Sequence, residues 1–234
     1  MKICELGKCN ILNFYHCDLA LSKGTKFAFI IFYIVILIFS ACGDSFDRKI
    51  KNSTLPTIKI SPIDGKEMVL VPSGEFVMGT NKTDDEKTHL KIGAVKPLFL
   101  DQHPTRKIFL DSYYIDKYEV TNEEYKRFLD LSGYDELPGH WKNGSYAEGT
   151  DRYPVTHVTW REALTYALWA QKSLPTEAQW EKAARGVDGR IYPWGDDYEK
   201  GMSNMDIDGA RGLVEGGTCP ADISPYKAYV LGGN

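Results

Sequence analysis

SLPTEAQWEKAARG, residues 173–186, places acids, bases and a tryptophan within fourteen positions. Such a density of charge raises the question of a catalytic signature. The local reading is a helix instead. Thr176 with Gln179 three residues on is a capping box, in which the hydroxyl accepts from the N3 amide and the N3 side chain reaches back. Pro175 precedes the cap and can staple to Trp180. Trp180, Ala183 and Ala184 then fall on one stripe, expected to be buried, and the alanines let the helix pack closely. Glu177 suits the positive N-terminus, while Lys182 and Arg185 suit the negative C-terminus. Gly186 ends the helix. Every charge is accounted for without chemistry.

The same device recurs upstream. Thr121 with Glu124 opens a helix whose apolar face is Tyr125, Phe128 and Leu129, with Val120 and Tyr125 at the staple positions and Gly133 as the stop. Thr159 with Glu162 opens another, with Leu164, Ala167 and Leu168 expected inward. Before these helices, residues 68–71 and 75–78 are short apolar runs joined by Pro72-Ser73-Gly74, a strand–turn–strand signal. Residues 81–96 are charged and irregular, an exposed loop. Residues 107–120 mix β-branched and aromatic residues with polar ones, which predicts one or two strands of imperfect alternation. Beyond Gly186 the helical pattern stops and the chain becomes rich in Gly, Asp and aromatics.

The chain has 28 basic and 32 acidic residues, a net of −4, so no broad nucleic-acid footprint is implied. The N-terminal part reads differently from the rest. Residues 27–39 (FAFIIFYIVILIF) are thirteen uninterrupted apolar residues after Lys23 and Lys26. That is too short for a typical membrane span and right for a signal-peptide core. Ser40-Ala41-Cys42 follows, which resembles a bacterial lipobox and makes Cys42 the expected lipidation site. A short membrane anchor is the other reading. Residues 1–22 lengthen the leader beyond its usual size, and initiation near Leu19 or Leu21 would explain them. Cys4, Cys9 and Cys17 match no common zinc spacing. Removal of residues 1–41 would leave Cys219 as the one free thiol beside a lipidated Cys42, so no disulfide framework is expected. Residues 42–66 read as a flexible tether and residues 67–234 as the folded region. As a coil such a tether averages about 25–30 Å, and fully extended about 80 Å.

Five motifs in order carry a family resemblance: VPSGEFVMG (71–79), YYIDKYEVTNEEYKRF (113–128), YPVTHVTWREALTYALW (153–169), SLPTEAQWEKAARG (173–186) and YPWGDD (192–197). Together they resemble the formylglycine-generating enzyme, or sulfatase-modifying factor, domain. The resemblance implies an α+β, variant C-type-lectin-like fold with little regular secondary structure, incomplete at the C-terminus. The family's activity is oxidation of a target cysteine to formylglycine by O2, with copper(I) on a pair of cysteines in the later part of the domain; soft thiolates suit that ion. SPYKAYVLGGN (224–234) resembles the family segment that leads toward that part, with Lys227 and Val230 departing from the pattern. The copper cysteines are therefore expected beyond Asn234, and this chain by itself is expected to be inactive. Cys219 matches neither copper ligand.

The resemblance also implies calcium at loops, with Asn204 and the Met205 carbonyl at one and Asn234 at the start of another. Asp206 and Asp208 are nearby oxygen donors. His157, just before a helix, is expected to be structural. Two functions follow: an oxidase-like enzyme acting on a protein or peptide substrate, or a non-catalytic cell-envelope lipoprotein using the fold for binding or assembly, as gliding and secretion lipoproteins do. Either is expected to be exported and lipid-anchored at the outer membrane or periplasmic face.

Overall fold

The computed structural model describes residues 2–6, 55–85, 87, 90, 95–97, 99–197, 199–204 and 212–234. The apolar run at 27–39, Cys42 and Met205 lie outside the described residues, as do Asp206 and Asp208. Among the described residues no helix is long and apolar enough to cross a membrane.

Among the described residues, six short strands and three α-helices make up the regular structure: β1 (Cys4–Leu6), β2 (Ile58–Ile60), β3 (Glu67–Val71), β4 (Gly74–Met78), β5 (Arg106–Leu110), β6 (Tyr113–Asp116), α1 (Asn122–Ser132), α2 (Trp160–Trp169) and α3 (Glu177–Arg185). A 3-10 turn, Leu100–Gln102, precedes β5. One antiparallel sheet has the order β1-β6-β3-β2, and β4 and β5 form a separate ribbon. The fold is thus α+β with little regular structure, as expected. The two runs either side of Pro72-Ser73-Gly74 are both strands, but they do not pair: the turn carries the chain from the four-stranded sheet to the ribbon.

Two strands fall outside the region expected to fold. β1 and β2 are three residues each, too short to show a period of two, and their pairing partners lie far along the sequence. The stretch expected to end the tether holds Asp64 and Lys66, at 3% and 6% exposure. Residues 57–66 therefore belong to the fold.

All three helices begin with the reciprocal capping box, on Thr121, Thr159 and Thr176. α1 buries Tyr125, Phe128 and Leu129, and Gly133 ends it in the left-handed region. α2 is turned relative to expectation. It buries Ala163, Tyr166 and Ala167, while Leu168 is 63% exposed. Positions 163, 166, 167 and 170 also have helical spacing, and they bring Tyr166 onto Tyr125, 5.8 Å between stacked rings. The larger aromatic surface is buried at the expense of two leucine-bearing positions.

The imperfect alternation of β6 has a simple cause. All four of its residues are buried, because the sheet is covered on both faces. Val69, Val71, Tyr113 and Ile115 pack on Ala183 and Ala184 of α3. A second cluster, which Ile3 joins, is made of rings that include Tyr125, Phe128, Trp141 and Tyr166.

Candidate functional site

The α3 helix lines a cleft. Its small residues let it approach the sheet, and Ala183 and Ala184 are 0% and 2% exposed. Trp180 does not join them. It is 41% exposed and lines a cavity of about 280 Å³ with Phe99, Gln102, Tyr192, Pro193 and Leu231. Of the expected stripe Ala183 and Ala184 are buried and Trp180 is not, and Gln179 and Lys182 are buried beside the alanines.

The charges of α3 lie at the expected helix ends, Glu177 in the first turn and Lys182 and Arg185 in the last, and the basic ones also bond distant backbone. Lys182 is 1% exposed and its Nζ donates to the carbonyls of Pro72 and Gly74, at 2.7 and 2.9 Å. It lies in the last turn of the helix, as expected, and from there it closes the turn between β3 and β4. Burial lowers its pKa. Glu181 accepts from the Gly79 amide at 2.7 Å and pairs with Arg185. Arg185 also donates to the carbonyls of Gly189 and Gly79, at 2.7 and 3.3 Å. Gly79 sits at φ 77°, and a Cβ there would meet the Gln102 carbonyl oxygen at 2.3 Å. One wall of the cleft is therefore fixed by backbone closeness that only glycine permits.

The opposite wall is the YPWG turn. Tyr192 and Gly195 exchange backbone hydrogen bonds, and the Tyr192 and Trp194 rings stack at 5.1 Å. Trp194 closes on Gly232, where a Cβ would meet the ring at 2.8 Å. Asp222 receives the Gly232 amide on both carboxylate oxygens, at 2.9 and 3.0 Å, and burial raises its pKa.

A second constellation joins residues the sequence had assigned to separate loops. Asn204 and Asn234 meet: the Asn204 amide donates to Asn234 Oδ1 at 2.8 Å and to the Gly212 carbonyl at 2.9 Å. The Asn234 amide donates to Glu119 Oε2 at 3.1 Å and to the Val214 carbonyl at 2.9 Å. Glu119 was not anticipated, since nothing in its local sequence marks it as a loop ligand. The donor set is oxygen-rich and suits calcium in kind. The orientation of Asn234 is fixed by its partners: its Oδ1 accepts from the Asn204 amide and from the Val214 N–H at 3.0 Å, while its NH2 donates to the two other oxygens. The described residues contain no cluster of three or more His, Cys, Asp or Glu side chains able to hold a metal.

The described cysteines do not fit a copper pair. Cys4 is buried in the sheet, its thiol 3.7 Å from Gln179 Oε1, and burial raises its pKa, which keeps it from the thiolate form copper(I) needs. Cys219 is half-buried and free. His157, expected to be structural, is exposed at φ 55° with its ring 4.7 Å from that of His140.

Beneath the sheet lies a charge network that sequence reading missed. Lys172 Nζ sits 2.7 Å from Asp64 and 2.8 Å from Asp116, with all three side chains at most 1% exposed. Burial pushes Asp116 up to about 6, against the pull of Lys66 and Lys172. Burial also acts on Asp64, but its hydrogen bonds from Lys172 and Ser61 win and lower its pKa. The Tyr166 hydroxyl reaches Asp64 at 3.4 Å. Because the three charges come from distant segments, no local spacing could have announced them.

Comparison with known proteins adds a family. Residues 55–213 match the sulfatase-modifying factor enzyme 1-like domain. The formylglycine-generating enzyme of Mus musculus is 30% identical over 82% of this chain and 61% of its own length. The inactive C-alpha-formylglycine-generating enzyme 2 of Bos taurus is 32% identical over 59% of this chain and 55% of its own. The chain thus spans less than two thirds of the length of these curated relatives. The structure of PvdO from Pseudomonas aeruginosa superposes with a TM-score of 0.58 at 24% identity, covering 78% of this chain and 73% of PvdO, a likeness of fold.

Proposed function

Because the chain belongs to the sulfatase-modifying factor enzyme 1-like family, we propose that its cleft beside α3 holds an extended segment of a protein partner. The observation that carries this is Trp180, 41% exposed on a helix whose neighbouring alanines are buried. A large aromatic at the mouth of a cavity, beside a fixed Glu181–Arg185 pair, offers apolar area and directed charge together. The family's chemistry, O2-dependent oxidation of a cysteine to formylglycine, would then act on a cysteine in the seated segment. The copper such chemistry uses would be held by thiols other than Cys4 and Cys219.

A second reading is favoured by the likeness to an enzyme relative named as inactive. On it the same cleft binds without converting. In either case the leader features place the protein, by this proposal, in the cell envelope with a lipid on Cys42. Calcium, on this proposal, is held by Asn204, the Met205 carbonyl and Asn234, with Glu119 supplying the carboxylate.

Peptide arrays probed with the full chain test the cleft. Cysteine-bearing peptides are expected to be retained, and Trp180→Ala to weaken retention about tenfold while changing stability by under about 0.5 kcal/mol. Retention indifferent to Trp180 would sink the proposal. An aldehyde-reactive probe on peptides incubated with copper-loaded protein that carries the further thiols separates the two readings, since only conversion of the cysteine gives a labelled product. Calorimetric titration with Ca²⁺ tests the loop site; a flat titration removes it.

A further inference from the structure

We propose that His140 and His157 together form a binding site for a divalent transition-metal ion of the zinc type. The two histidines come from separate loops, and the fold brings their rings together with centroids 4.7 Å apart and planes inclined at 44°. That spacing fits one shared ion. A zinc–imidazole bond is about 2.0–2.1 Å and the ring centre lies about 1.1 Å behind its nitrogen, so two rings at a tetrahedral angle stand about 5 Å apart. The inclined planes suit two rings aimed at one point better than two rings lying flat on each other.

Both rings stand on anchored backbone. Next to His140, the Trp141 amide donates to the Pro138 carbonyl at 2.9 Å, and the Trp141 ring enters the aromatic cluster of α1 and α2. Two residues before His157, Val155 is 3% exposed and its amide donates to the Val120 carbonyl at 2.9 Å. Two residues after it, Thr159 caps α2. Ligands mounted so close to fixed points lose little freedom when an ion arrives. His157 itself sits at φ 55°, a left-handed conformation that costs a non-glycine residue energy and that here turns up at one of the paired rings. Its Nδ1 lies 3.1 Å from Thr156 Oγ1. In the tautomer whose Nδ1–H donates to that hydroxyl, Nε2 keeps its lone pair for a metal, the usual arrangement of a ligating histidine.

The donor type selects the ion. Imidazole nitrogen suits zinc, copper and nickel, whereas calcium and magnesium require oxygen. No group of three or more His, Cys, Asp or Glu side chains able to hold a metal is present among the described residues, so the protein supplies two ligands and water completes the shell. Both histidines are exposed, which leaves those positions open. The pair shares no residue with the cleft beside α3 or with the Asn204–Asn234 loops.

A titration of the full chain with zinc chloride, followed through the imidazole resonances by NMR, tests the site. The His140 and His157 signals are expected to move together and to saturate at one ion, while magnesium chloride moves neither. His140→Ala and His157→Gly should each weaken the zinc response at the remaining histidine at least about tenfold, and His103→Ala should leave it unchanged. Glycine accepts the left-handed backbone at residue 157, so that variant removes the ligand without straining the loop. Its unchanged melting checks that the fold is kept, and His140→Ala at an exposed position gives the same test from the other side. Signals of His140 and His157 that stay still at saturating zinc, or a variant that responds like the parent, would overturn the proposal.

Discussion

Between α1 and α2 the core is made of rings. Tyr125 stacks on Tyr166 at 5.8 Å, and Phe128 touches Tyr166 edge-on at 5.4 Å and leans on Trp169 at 5.4 Å. Between α3 and the sheet it is made of two alanines on the strands, and the work of attachment passes to polar groups: Lys182 on two carbonyls, Glu181 on an amide and Arg185 on Gly189. The first region is filled by side-chain volume. The second is held by directed bonds to backbone, which fix the helix while leaving a cavity open beside Trp180. A helix held by packing alone would close such a cavity, because packing gains with every void removed.

This contrast can be broken in a ranked way. Phe128→Ala, which removes a fully buried ring, should cost about 3–5 kcal/mol in urea unfolding. A cost near that of a surface change would mean the ring cluster does not carry that region. Lys182→Met should cost less, about 1–3 kcal/mol, through two carbonyls left without their charged donor. It should also loosen the turn at Pro72, seen as faster amide exchange there; an unchanged exchange rate would show that the lysine is not the clamp.

The smallest effect concerns pH. Asp116 holds its proton to about 6 in the fold, against 3.8 for an ordinary aspartate. Between those values the folded state binds more protons than the unfolded one, so this group's contribution to stability falls as pH rises through the window. Asp64, with its pKa lowered, acts in the other direction and below that range. Urea midpoints at pH 4.5 and 6.5 should therefore decline less with pH in Asp116→Asn than in the parent. Parallel slopes would contradict the burial argument.

The α3 region also shows how far the sequence could be read. Thr176 and Gln179 formed their capping box, as did the pairs at Thr121 and Thr159. Those signals act over three residues and need no partner. The inward phase of each helix was less secure. Leu168 and Trp180 looked like core residues by spacing, yet both face outward, because a second stripe on the same helix fits the opposing surface better. Periodicity gives the existence of a buried face, but only the neighbour chooses which face it is.

The site shows the same division. Asn204 and Asn234 were each named from family likeness, but their meeting across thirty residues, with Glu119 as third partner, comes from the path of the chain. Of the aspartates flanking Lys172, Asp64 lies in no motif, and Asp116 lies in one, 113–128, that says nothing of its partner. What the amino-acid sequence determined by itself was the family, the helix starts and stops and most strand positions, because these rest on contacts within a turn or on motif order. What only the tertiary structure decided was the destination of charged side chains, the phase of α2 and α3, and the pairing of β1 and β2. Those depend on which distant backbone carbonyl, ring or carboxylate lies opposite, and that is a property of the folded surface, absent from any local window.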